Sequence, residues 1–155
     1  MSGAALVLSS LLIANAALAP QPLSTLPADL QPLVQALQHK GFQVRIALPP
    51  VQGSYGLFQS GSRTLWVSPL TIPLGIARQT VLHEAVHAVQ SCPSGRLTPV
   101  GWAVQVNPVV EREISAILLR SYHHGSRVLE REAFFMQGQR QAVPQLIKAL
   151  NQRCP

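Results

Sequence analysis

Two histidines four residues apart constrain this chain more than any other feature: His83 and His87, with Glu84 directly after the first, inside a stretch running from residue 79 to residue 90. At that spacing a helix stacks both imidazoles on one face, about one turn apart. The surroundings predict such a helix, because Ile76, Val81, Leu82, Ala85, Val86 and Val89 form an apolar stripe and neither Gly nor Pro falls between Arg78 and Cys92. Two neutral imidazoles on one rigid turn supply half of a tetrahedral site for Zn²⁺. Glu84 then leans beside such an ion rather than toward it, where it can take a proton from a water. The same letters would also describe two core histidines and a surface glutamate; the helical context favours the metal.

Catalytic zinc takes three protein ligands and keeps one position open, so a third must come from elsewhere in the chain. The candidates are Glu111, Glu113, Glu130, Glu132, His123 and His124. Glu111 and Glu113 fall in the first turns after an expected Asn107 cap, where an acid suits the helix macrodipole without any metal. Glu130 lies mid-helix, with Ala133 and Phe134 three and four residues on, and a small Ala on that face lets a second helix approach closely. Glu130 and Glu132 are two apart on a helix and point away from each other, so one ion does not easily take both.

Together, His83-Glu84-x-x-His87, the later Glu130-x-Glu132-Ala133 helix and a preceding strand pair resemble a zincin metallopeptidase of the minimal gluzincin type, over roughly residues 55 to 137. In that family a Glu-x-x-Ala pattern contributes its first Glu to the metal, which implies Glu130 as the third ligand of Zn²⁺. Phe134 departs from the pattern, since many relatives have a supporting Asp or Asn there. The resemblance also implies a sheet under the His helix whose edge strand aligns extended peptides by backbone pairing, with residues 65–67 the expected edge. The reaction implied is peptide hydrolysis. Zinc lowers the pKa of its water toward ~7, and Glu84 takes the proton as the water attacks the carbonyl, then returns it to the leaving amine. Tyr122, ahead of His123 or His124, would donate to the developing oxyanion.

The length of 155 residues, 47% of them hydrophobic, suits a single packed core. The expected fold class is α+β: a small single domain over residues 20–155, in which an antiparallel sheet or hairpin packs on the HExxH helix and further helices follow. Twelve Lys+Arg against six Asp+Glu give a net charge of +6. The arginines never form a run and no aromatic ladder accompanies them, which argues against a specific nucleic-acid partner. Residues 1–19 are expected to be a signal peptide or N-terminal apolar segment, because residues 4–19 carry no charge and end in the small residues Ala17-x-Ala19 that fit export cleavage. The stretch is shorter than the ~20 residues a spanning helix needs, so no stable membrane span is expected unless it stays uncleaved. An exported chain would allow Cys92 and Cys154 to pair as a disulfide, the alternative being two free thiols.

In chain order, a helix is expected from Asp29 through Leu33, Val34 and Leu37 to a stop at Gly41. Residues 42–48 alternate, with Phe42, Val44, Ile46 and Leu48 on the buried face of a strand. Residues 55–58 and 64–67 read as a β-hairpin with a glycine-containing turn. Residues 92–106, with Pro93, Gly95, Pro99, Gly101 and Trp102, are expected to be irregular and to overhang the site. Asn107-Pro108 opens a helix that Gly125 ends, residues 126–137 form another, and Pro144 opens the last. The function expected is a zinc-dependent peptidase acting on a peptide or protein substrate. A non-catalytic zinc protein of the same fold and a basic surface-binding protein are the competing classes.

Overall fold

The computed structural model describes residues 18–120 and 127–155. Among these residues it forms an α+β domain of five α-helices and a three-stranded mixed sheet. Two short 3₁₀ turns, Leu23–Thr25 and Ala28–Leu30, lead into helix α1, Gln31–His39. Its end is set by glycine chemistry: Gly41 takes a left-handed φ of 79°, Gly41 N–H donates to Gln38 C=O and Phe42 N–H donates to Leu37 C=O. This pair of bonds is the Schellman closure, and it turns the chain straight into strand β1, Gln43–Ile46.

Strands β2, Gly56–Gln59, and β3, Thr64–Val67, form the antiparallel hairpin expected from the alternation around residues 60–63. The residue in the left-handed region of this turn is Arg63, φ 52°, and Gly61 is not among the positive-φ glycines. Arg63 is held there by its guanidinium, which lies 4.3 Å over the Phe42 ring and donates to Lys40 C=O. Strand β1 joins the hairpin parallel to β3, with Val44 opposite Leu65 and Ile46 opposite Val67. The strand order is therefore β1-β3-β2, which corrects the assignment of residues 65–67 to an edge: β3 is central, and β1 and β2 are the edges. A central place agrees with its burial, since Thr64, Leu65 and Val67 are all buried. Leu48 is also corrected. It lies beyond the last paired residue of β1 and is half exposed, whereas Phe42, Val44 and Ile46 are buried as expected.

Helix α2, Ala77–Gln90, carries the His pair through the middle of the molecule. Val81, Leu82, Ala85, Val86, Ala88 and Val89 are fully buried. Its neighbours are the sheet (Phe58, Leu65, Val67), α4, Arg127–Gln137 (Ala133, Met136), and α5, Ala142–Arg153 (Leu146, Leu150), all in one core. A helix packed on several sides loses the one-sided stripe of a surface helix, so Glu84 and His87 are buried with its apolar residues.

Helix α3, Pro108–Arg120, opens with Asn107 Oδ1 accepting from Val110 N–H and with Pro108 in first place. The expected break at Gly125 lies outside the described residues. Between α2 and α3 the chain is irregular as expected, and Trp102 lines a cleft of about 500 Å³ against α5. Among the described residues, no helix is long and apolar enough to cross a membrane.

Cys92, just past α2, is disulfide-bonded to Cys154, just past α5. The cross-link spans 62 residues of chain, a loop worth about 4 kcal/mol of stability in the chain-entropy account. Replacing both cysteines, as Cys92→Ala with Cys154→Ala, is expected to lower the unfolding free energy by about that amount, read as a drop in the denaturant midpoint with a slope that rises as the unfolded chain expands. An unshifted midpoint would show that the bridge does not constrain the unfolded chain.

Candidate metal centre

Packing of α2 on α4 creates the site. Ala133 is fully buried on α4, and its lack of bulk lets the two helices close until the Glu130 carboxylate reaches both imidazoles. His83 Nε2 lies 3.2 Å from Glu130 Oε2, His87 Nε2 lies 3.4 Å from Glu130 Oε1, and the two Nε2 atoms are 3.3 Å apart. A tetrahedral ion with bonds of about 2.0–2.1 Å sets its ligand atoms about 3.3 Å apart along each edge. Glu130 meets the two rings through different oxygens, so two nitrogens and two carboxylate oxygens cluster at spacings close to such an edge, and one ligand atom from each residue lies within 4.8 Å of the others. His83, His87 and Glu130 could therefore hold a metal ion.

The imidazole orientation serves the same end. His83 Nδ1 is 2.9 Å from Gln137 Oε1, and His87 Nδ1 is 2.7 Å from Gln90 Oε1. An amide oxygen only accepts, so each Nδ1 carries the proton and each Nε2 faces the carboxylate. Phe134 packs edge-on against the His83 ring, with centroids 4.9 Å apart. The polar partner of His83 is thus Gln137, and residue 134 meets the ring with an aromatic edge.

Glu84 is buried beside the cluster. Helix α2 meets β2 so closely there that a Cβ built on Gly56 would lie 2.6 Å from Glu84 Oε1 and 2.7 Å from Thr80 Cγ2. Ser68 N–H donates to Tyr55 C=O, and the alternation of an antiparallel pair then turns the backbone groups of Gly56 and Phe58 away from β3, toward the free edge. Phe58 N–H donates to the Glu84 carboxylate. Burial raises the Glu84 pKa and Glu130 adds to the rise, against the lowering influence of His83, His87 and the Phe58 bond.

The other acids are otherwise engaged. Glu132 is buried, and its carboxylate accepts from Gln90 Nε2 at 2.9 Å, Val100 N–H at 2.9 Å and Gly101 N–H at 2.7 Å. Glu111 pairs with Arg127 at 3.3 Å and Arg131 at 2.6 Å, and Glu113 is exposed. Tyr122, His123 and His124 lie outside the described residues, as do residues 1–17 of the expected signal segment. Sequence reasoning missed Gln90, Gln137 and Gly56. The first two carried a signal: Gln90 follows His87 by three on one helix and Gln137 follows Glu130 by seven, both same-face spacings. Gly56 carried none, because its role is a contact between two elements.

Comparison of the chain with protein-family models, with curated proteins and with solved structures finds no match.

Two outcomes follow from this geometry. Gly56→Ala is expected to push Glu84 and Thr80 aside at a cost of about 1–3 kcal/mol, measured by thermal or denaturant unfolding; an unchanged stability would mean β2 shifts freely. The second concerns pH. Burial opposes the His87 cation, but hydrogen bonding to Glu130 and the Glu130 charge outweigh it and raise the pKa to about 9 from the usual 6.5. Burial acts on Glu130 too, but the bonds from His83 and His87 hold its carboxyl well below the usual carboxylate range. In the metal-free protein the raised His87 pKa contributes stability that is complete below pH 6.5 and disappears as pH rises through about 9. An entering ion must displace that proton, so metal affinity is expected to climb from pH 7 to 9, with about one proton released from His87 per ion bound at neutral pH. Calorimetric titration in buffers of different ionisation enthalpy measures the release; affinity flat with pH would contradict it.

Proposed function

We propose that this chain is a zinc-dependent peptidase of the zincin class, minimal gluzincin type. The observation that carries the reading is the convergence of His83, His87 and Glu130, one ligand atom from each within 4.8 Å of the others, set directly beside a buried glutamate. Two imidazole nitrogens and one carboxylate oxygen are the donor set of a catalytic zinc with an open position. When bound there, zinc supplies Lewis-acid polarisation of a carbonyl and lowers the pKa of water to about 7.

The remaining roles belong to side chains and backbone of this chain. His83, His87 and Glu130 bind, with Gln137 and Gln90 orienting the two rings. Glu84 accepts a proton from the attacking water at its carboxylate and returns it to the leaving amine, and its raised pKa brings it nearer the range a general base needs. The outward-facing edge of β2, at both backbone groups of Gly56 and the C=O of Phe58, offers an extended peptide pairing positions next to Glu84. That gives β2 the aligning role the family assigns to its edge strand. The Cys92–Cys154 bridge, together with the uncharged N-terminal stretch, supports an exported protein working in an oxidising compartment.

Glu84→Gln tests the proposal, because the amide keeps the shape and removes the base. Zinc stoichiometry is expected to stay at one per chain while hydrolysis of an unfolded protein substrate such as casein falls by roughly 10²–10⁴-fold. Equal hydrolysis by both forms would remove the enzyme reading and leave a metal site of structural use.

A further inference from the structure

Glu132 is a buried carboxylate for which the proposed chemistry has no use. It is only 1% exposed, and among the described residues its side-chain partner is the amide of Gln90. That amide touches three groups in a fixed order of polarity. Gln90 Nε2 is 3.1 Å from Leu129 C=O and 2.9 Å from Glu132 Oε2, while Gln90 Oε1 is 2.7 Å from His87 Nδ1. Gln90 itself is fully buried, so no water competes for these positions.

We infer that Glu132 is a positioning residue that fixes the tautomer of the ligand His87 through Gln90. A carbonyl and an ionised carboxylate are both acceptors, so the Nε2 end of the amide must face them. The Oε1 end must then face His87. An acceptor at that point requires the proton on His87 Nδ1, and the lone pair is left on Nε2, directed at Glu130 and His83. Without Glu132 the amide has a single fixed acceptor at Leu129, and rotation that offers Nε2 to the imidazole becomes cheap. Such a rotation would call for a lone pair on Nδ1 and a proton on Nε2, which blocks ligation.

The carboxylate is itself held. Val100 and Gly101 donate two backbone N–H groups to it, one to each oxygen. The neighbouring segment is fixed from its other side by Arg153, which donates to Pro99 C=O, Thr98 Oγ1 and Cys92 C=O. The two N–H groups of Val100 and Gly101 thus hold the carboxylate that sets the polarity of the amide, and then of the imidazole, while Arg153 bonds to the residues that precede them. Glu132 acts at a distance, touching neither the metal position nor a substrate.

This inference rests on the zinc-centre reading, and the test separates the two. The full chain is titrated with Zn²⁺ alone, for the unaltered protein, Glu132→Gln and Arg153→Met. Glu132→Gln is expected to weaken zinc binding by about 10–100-fold, the range found for lost partners of a ligating histidine. Arg153→Met loosens the segment without touching the amide, so its zinc affinity is expected to stay within about 3-fold of the unaltered chain despite a lower melting temperature. An unchanged zinc affinity in Glu132→Gln, or an equal loss in both variants, would overturn the positioning role. Should Glu132→Gln fail to fold, the nitrogen shifts of His87 in the zinc-loaded unaltered chain decide: a protonated Nδ1 with Nε2 bound is expected, and Nδ1 bound overturns the inference. An unaltered chain that takes up no zinc removes the metal-centre reading, and this inference with it.

Discussion

The structure depends on one contact, the Glu130 carboxylate of α4 placed between two imidazoles of α2. A carboxylate that is only 2% exposed costs several kcal/mol unless partnered, and here its ion-pair partners among the described residues are the two histidines. In the metal-free protein a proton shared with His87 meets that demand; a divalent ion meets it better. The same contact fixes how closely α2 and α4 lie, and α2 in turn positions the sheet and α5 around it.

Three of the six acids in this chain are buried, and each is accommodated by a different means. Glu130 is compensated by imidazoles. Glu132 is compensated by an amide and two backbone N–H groups. Glu84 has a Phe58 N–H and nearby histidines, and burial moves its pKa upward. That difference in compensation fits the roles proposed for them: a ligand, a fixed support and a group that exchanges a proton. The disulfide stands behind this arrangement, since Cys92 ends the ligand helix and Cys154 follows the Arg153 that pins residues 98–99.

Much of this was legible in the residues. Helix α2 and its imidazole face follow from the 83–87 spacing, the stop of α1 follows from Gly41, and the opening of α3 follows from Asn107-Pro108. Choosing Glu130 from the several acids needed only the small Ala133 beside it and the family pattern. The strand order was not legible, because alternation says which face of β1 is buried and nothing about which neighbour it pairs with; the parallel pairing to β3 is what makes residues 65–67 central. Gly56 was silent for a related reason, since the closeness of β2 to Glu84 is a property of two elements. Glu132 looked like a competing ligand because its partners, backbone N–H groups of an irregular segment, leave no side-chain signature.

The most direct measurement of the central claim is zinc K-edge X-ray absorption on the full chain loaded with one equivalent of Zn²⁺. Convergence of His83, His87 and Glu130 requires a four-coordinate shell of light atoms at about 2.0–2.2 Å with scattering from two imidazole rings. A shell with one ring or none, or six water oxygens around a loosely held ion, would contradict it.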